Sequence, residues 1–174
     1  VYAGCYWENH EQGMDAVLGA MREVTKRMVS IYGDRWYGEL QWNNIREQHE
    51  LNKAIIQMQK EFGIELISTA DSHYPNPDAW KDRELYRRLG WLGRGRPSWA
   101  EDAELPEGIE EIGYELYPKN GDQMWESYQQ YSKECDVEYD DDLVRSSIEE
   151  SYRVATERIE SFCPDNTVRL PDFV

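Results

Sequence analysis

Apolar residues at Met14, Val17, Leu18, Met21, Val24, Met28 and Ile31 recur at three- and four-residue steps and stop at Gly33-Asp34. That spacing predicts an amphipathic helix with a glycine stop. Arg35 to Trp42 then carries aromatic residues suited to a strand, and alternation sets Glu39 and Gln41 on one side and Trp36, Leu40 and Trp42 on the other. Asn43-Asn44 breaks the pattern. From Arg46 to Phe62 the positions of Leu51, Ala54, Ile55, Met58 and Phe62 are helical again, and Gly63 supplies the stop. The apolar run from Ile64 to Ala70 follows at once and reads as a buried parallel strand, ending in Asp71-Ser72-His73-Tyr74 before Pro75 and Pro77. Strand, helix and strand with short joints form a βαβ unit, the building block of parallel sheets and barrels. The segment Val1 to Cys5 with the helix from Met14 is expected to add one more repeat. Strand ends at Cys5, near Gln41 and at Asp71 then converge on one rim, where α/β folds keep their chemistry.

Past the proline turn, Asp78 to Leu89 is expected to be a helix, and Gly90 to Pro97 a Gly/Arg-rich loop framed by Trp91 and Trp99. Glu101 to Pro118 reads as irregular and acidic. Two further helices are predicted, Gly121 to Lys133 and about Asp141 to Phe162, the latter with Leu143, Ile148, Tyr152, Ala155 and Ile159 facing inward. This divides the chain into a β/α part, residues 1–100, and an acidic, mainly helical part, residues 101–174.

Charge sharpens that division. The formal net charge is −16, and residues 1–100 hold 13 Lys/Arg against 14 Asp/Glu whereas residues 101–174 hold 6 against 21. So negative a face is repelled by phosphate backbones, so any handling of nucleic acid falls to the first part or to another polypeptide. Arg83, Arg87, Arg88, Arg94 and Arg96 form the basic island, suited to gripping phosphate and stacking bases and equally to partner docking or plain surface placement. Three widely spaced cysteines, Cys5, Cys135 and Cys163, fit a reducing compartment, with cytoplasm as the expected location. No apolar run is long enough to span a bilayer, so no membrane association is expected. The opening Val1-Tyr2-Ala3-Gly4-Cys5 has neither an initiator Met nor a signal pattern and reads as a chain interrupted upstream.

The residues with the clearest chemistry are Asp71 and His73, two positions apart at a strand terminus and therefore on one face. A carboxylate and an imidazole there suit a divalent metal, although the same pair is common at turns and caps. Cys5 is read as a ligand or as a small buried residue. Glu39 is read as a rim residue that orients a ligand or pairs with an arginine, with Gln41 beside it. His10 belongs to a loop or first turn with a smaller claim on the site, and His49 to a polar helix face. The Asp140-Asp141-Asp142 run is read as a helix cap. Walker, Gly-x-Gly-x-x-Gly, Gly-x-Ser-x-Gly, Cys-x-x-Cys and His-Glu-x-x-His signatures are absent.

Tyr32-Gly33-Asp34-Arg35-Trp36-Tyr37-Gly38-Glu39-Leu40-Gln41, then a helix near Glu47-Gln48, then Ile67 through Pro77 with Asp71-Ser72-His73-Tyr74, resembles the later half of the polymerase and histidinol phosphatase (PHP) domain of bacterial or phage DNA polymerase III alpha subunits. That family runs "FGD-x-[FY]-Y-x-E-L-Q" into "[TN]-x-D-x-H-Y". Ala3-Gly4-Cys5 is similar to its Ser-Gly-Cys, and Leu170-Pro171-Asp172-Phe173 to its "LP-x-F" link toward the polymerase core. The resemblance implies an α/β fold: part of a distorted (β/α)7 PHP-type barrel followed by an acidic helical segment. It implies a metal-dependent phosphoesterase, a 3′-5′ proofreading exonuclease in members that retain the ligands and a noncatalytic structural or partner-docking module in others. By position, Cys5, Asp71 and His73 correspond to metal ligands for zinc or manganese, up to three ions in the complete site. The opening His-x-His, a further pair of His and a bridging Glu of the family have no counterpart here. The implied partners are therefore the N-terminal half of the PHP domain, on another chain or a missing segment, the polymerase core, and DNA through the assembled protein.

Overall fold

The computed structural model describes residues 1–94 and 115–161, together with 163, 164 and 167. Its elements in chain order are α1 (Tyr2–Asn9), α2 (Met14–Tyr32), β1 (Tyr37–Gln41), α3 (Arg46–Phe62), β2 (Glu65–Thr69), α4 (Trp80–Arg94), α5 (Gly121–Glu134) and α6 (Asp141–Arg153), with a wider turn of helix over Val154–Arg158. The predicted Asp141 to Phe162 helix changes pitch at Val154, and Phe162 lies outside the described residues, as do the loop from Gly95 to Pro97, residues 101–114 and the Leu170 to Phe173 link. No helix among the described residues is long and apolar enough to cross a membrane.

β1 and β2 pair in parallel, in register from Tyr37 opposite Glu65 to Gln41 opposite Thr69, with α3 as the crossover between them. The helix forms where the spacing predicts. Leu51, Ala54, Ile55 and Met58 are buried, and Gly63 ends it at φ +67°, a left-handed position that glycine adopts without a Cβ clash. Among the described residues the sheet has these two strands. One face, formed by Gly38, Leu40, Leu66 and Ser68, is buried; the other, with Glu39, Gln41, Glu65, Ile67 and Thr69, is exposed or half-buried. Gly38 is required on the closed face. A Cβ there would lie 2.6 Å from Ile55 Cγ2 and 2.7 Å from Leu66 Cδ2, so the glycine lets α3 approach the strand.

The closed face continues into α5 and α6. Trp42, just past β1, is buried against Tyr128 and Tyr139 with ring centroids 5.0 and 5.2 Å away, and its indole N–H donates to Ser68 Oγ at 3.1 Å. Ser68 Oγ also meets Ser147 Oγ of α6 at 2.7 Å. Asn120 and Gln123 cap α5 reciprocally, and Asp140 accepts from the backbone N–H groups of Asp142 and Leu143 at the start of α6. The acidic run at Asp140 is therefore a cap. At the N-terminal ends of the strands, Arg158 donates to Tyr37 Oη and Glu65 Oε2, each at 2.7 Å.

Four expectations need correction. Val1 to Cys5 is not a strand: Tyr2–Asn9 is a helix, and Tyr2, Cys5 and Tyr6, at i, i+3 and i+4, are its buried stripe. Gly90 to Arg94 continue α4 rather than opening a loop. Of the residues expected to face inward, Leu143 and Ile148 are half-buried against the core, whereas Tyr152, Ala155 and Ile159 are exposed; the fully buried residues of α6 are Val144, Ser147 and Glu150. His49 is fully buried rather than on a polar face, because both ring nitrogens find partners, Tyr139 Oη at 2.9 Å and the Asn43 carbonyl at 3.0 Å.

Candidate metal-ligating rim

The C-terminal ends of β1 and β2 carry the residues that the sequence singles out. On the open face, Thr69 Oγ1 donates to Glu39 Oε1 at 2.5 Å and the Gln41 amide reaches the same oxygen at 3.5 Å. Glu39 is thereby held toward β2. Thr69 is a rim residue that sequence reasoning missed; its signal was its register opposite Gln41, legible only once the two strands are paired.

Two residues beyond Thr69 the chain turns sharply. Asp71 takes φ +46°, a left-handed conformation that side chains other than glycine adopt rarely, Asp and Asn most readily among them. The turn is stapled from outside. The backbone N–H groups of His73 and Tyr74 both donate to the Leu116 carbonyl, at 2.7 and 3.1 Å, and the Leu116 N–H donates to Tyr74 Oη at 2.8 Å. Leu116 and Tyr74 are both buried. The segment leading into α5 thus fixes the turn that carries the Asp-x-His pair, a role for Leu116 that nothing in its local sequence announces.

The pair itself remains open to solvent, with Asp71 52% and His73 44% exposed at the side chain. His73 Nδ1 lies 2.6 Å from the Asp71 carbonyl oxygen and 3.9 Å from its carboxylate. A carbonyl only accepts, so Nδ1 carries the proton and the lone pair of the neutral ring sits on Nε2. This is how metal-binding histidines are commonly prepared: one ring nitrogen is fixed by a backbone or carboxylate acceptor and the other is left for the ion. An oriented imidazole and an exposed carboxylate fit a borderline divalent ion such as zinc or manganese.

Cys5 stands apart. It lies in α1 within the hydrophobic core, and burial pushes its thiol above the ordinary range, which disfavours the thiolate that a metal needs. Among the described residues no three His, Cys, Asp or Glu side chains are grouped so as to hold a metal ion, so Cys5 is not brought together with Asp71 and His73. His10, in the turn after α1, stacks on Tyr6 at 5.5 Å and uses Nδ1 on the Trp7 carbonyl at 3.0 Å. Arg87, Arg88 and Arg94 belong to α4, but their side chains, like the whole of Arg96, lie outside what is described.

Comparison with known proteins gives partial matches to one kind of polypeptide. The chain is 45% identical to the DNA polymerase III subunit alpha of Aquifex aeolicus over 56 residues, 32% of its length. It is 33% identical to that of Thermus aquaticus over 57 residues, and 23% identical to that of Chlamydia muridarum over 65 residues, 37% of its length. In each case the matched stretch spans 5% of the relative. No protein-family model matches the chain, and no solved structure does. Over about a third of its length, then, the chain is related to the alpha subunit of DNA polymerase III.

Proposed function

We infer that this chain is the later half of a PHP-type domain in a cytoplasmic, replicative polymerase of the DNA polymerase III alpha kind, and that its rim completes a metal-dependent 3′-5′ exonuclease site. The carrying observation is the preparation of His73, with Nδ1 held by the Asp71 carbonyl and Nε2 left for an ion, directly beside an exposed carboxylate. The partial relatedness to polymerase alpha subunits supplies the context. Asp71 and His73 are the ligands this chain contributes, Glu39 with Thr69 and Gln41 forms the wall beside them, and the remaining ligands come from the N-terminal half of the domain. Cys5 fits that set poorly, because its thiol is buried and held protonated. When bound, divalent zinc or manganese would lower the pKa of a coordinated water and offset charge on a phosphodiester. The chain's own part is to hold the imidazole in the correct tautomer and to keep the Asp71 turn fixed through Leu116.

The test combines this chain with the preceding half of the domain, adds Mn²⁺ or Zn²⁺, and follows a 3′-mismatched DNA primer. Cleavage from the 3′ end, abolished by Asp71→Ala and by His73→Ala, is expected. Cleavage no greater than that of the Asp71→Ala control sinks the catalytic reading and leaves the noncatalytic one, in which the acidic helices α5 and α6 dock a replication partner.

A further inference from the structure

The turn that carries Asp71 and His73 is held by a residue 42 positions beyond Tyr74. A left-handed φ of +46° at a residue with a Cβ persists where the surroundings over-determine it. Leu116 provides that restraint with both of its backbone groups. Its carbonyl accepts from the N–H groups of His73 and Tyr74, and its N–H donates to Tyr74 Oη. The loop from Asp71 to Tyr74 is thereby closed at one end by β2 and at the other by Leu116. So closed, it brings the Asp71 carbonyl within 2.6 Å of His73 Nδ1 and so selects the ring's tautomer.

What holds Leu116 is a buried charge with no other evident use. The Lys119 side chain is 3% exposed, and its ammonium lies 3.0 Å from Glu115 Oε2, 3.4 Å from the Glu115 carbonyl and 5.0 Å from the centre of the Tyr117 ring. An ammonium withdrawn from water is costly unless it is paired, so these contacts curl residues 115–119 into a strap around Leu116. The strap is tied to the rim turn on one side, where the Tyr117 and Tyr74 rings meet at 6.4 Å. On the other it is tied to α5, whose Ser127 hydroxyl donates to Glu115 Oε2 at 3.4 Å and whose N-terminus is capped by Asn120. Met124 and Tyr128 anchor α5 in the core. The acidic part of the chain therefore reaches the rim through this strap.

We propose that Tyr74, Leu116 and Lys119 are positioning residues for the rim: through the strap they hold the Asp71 turn and keep the His73 ring protonated at Nδ1, and so set the affinity for a divalent ion without touching it. By linkage, an ion bound at Asp71 and His73 holds the strap down by the same factor as the strap favours the ion. The part concerning the ion rests on the reading given under Proposed function, whereas the part concerning the turn and the ring does not.

Two measurements test this. In the full chain alone, NMR at about pH 8.5, well above the ordinary histidine range, reads the protonated ring nitrogen of His73 and the exchange of the His73 and Tyr74 amides. The Nδ1–H form and two protected amides are expected. Tyr74→Phe, which removes the acceptor of the Leu116 N–H, and Lys119→Met should each shift the ring toward the Nε2–H form that an unrestrained histidine favours, and should speed both amides several-fold. Ser151→Ala, which loosens the molecule from α6, should lower stability and leave ring and amides as they are. Should Lys119→Met fail to fold, Tyr74→Phe, which deletes a single oxygen, decides the matter. Calorimetry with Zn²⁺ on this chain in complex with its preceding half supplies the second readout, with affinity expected to fall about 10–100-fold in the two strap variants and to hold in Ser151→Ala. A ring without the Nδ1–H preference, a preference that survives both substitutions, or zinc binding equally strong in all variants overturns the positioning inference and spares the functional reading. Absence of zinc binding by the unsubstituted complex overturns the functional reading and the claim on affinity, while the ring measurement still decides whether the strap sets the turn.

Discussion

The two faces of the β1–β2 sheet alternate along the same ten residues, yet one is finished and the other is not. On the finished face, Leu40 is fully buried, Gly38 lets Ile55 descend onto the strand, and Ser68 is tied by its side chain and its backbone to Ser147 and Ser151 of α6. On the open face, Ile67 is half-buried, and the polar contacts run sideways between Glu39, Thr69 and Gln41. The difference separates what holds the chain together from what is held ready. Stability resides in the layer between the sheet and helices α3 and α6, whereas the rim residues Glu39, Gln41 and Thr69 lie on the other side.

Leu40→Ala should give the largest effect that sharpens this contrast, a loss of about 2–5 kcal/mol in urea unfolding, because the cavity lies in the closed layer. Ile67→Ala in the same experiment should cost clearly less; equal losses would erase the distinction between the faces. Next in size is Ser151→Ala, which leaves the Ser68 N–H and C=O without their partner and should cost about 1–3 kcal/mol. A neutral result there would mean that Ser151 does not satisfy the Ser68 backbone groups. A smaller effect is expected from pH. Burial lowers the pKa of His49 below its usual 6.5, so the folded state holds the ring neutral. The stability this provides is complete above the unfolded value and is lost as pH falls below it, since the unfolded chain then takes up a proton that the folded chain refuses. Thermal unfolding midpoints should fall between neutral and mildly acidic pH, and His49→Gln should lower the midpoint at pH 7 while flattening that fall. Smallest is Arg22→Ala. The exposed pair with Glu61, although it holds that carboxyl down at about 2, is screened by salt and should shift the midpoint slightly at low ionic strength and less at high.

The βαβ unit was legible in the sequence because each of its parts has a single clear period: the strand alternation about Leu40, the helical stripe from Leu51 to Met58, and the apolar run that ends at Asp71. Val1 to Cys5 misled because so short a segment satisfies two periods at once, and only Tyr6 completes the helical one. The inward face of α6 misled for a different reason. Leu143 and Ile148 pack against the core as their spacing predicts, but Tyr152 and, past the change of pitch at Val154, Ala155 and Ile159 are exposed, while Ser147 and Ser151 bond Ser68 of β2 through their hydroxyls, which hydropathy does not register. His49 and Asn52 are buried polar groups of the same kind. At the end of β2, Asp71 and His73 were singled out by their spacing as candidate ligands. The features that set their geometry, the Leu116 staple and the Thr69 bond to Glu39, depend on contacts distant in sequence and on strand register, and no local pattern encodes them.

The central claim, that Asp71 and His73 are ligands of a divalent metal in the assembled domain, is tested most directly by elemental analysis of this chain in complex with its preceding half, after dialysis against metal-free buffer. The account predicts retained zinc or manganese, with stoichiometry reduced in Asp71→Ala and His73→Ala and unchanged in Cys135→Ala. No retained metal in the intact complex, or the same metal content in the His73→Ala complex, would contradict it.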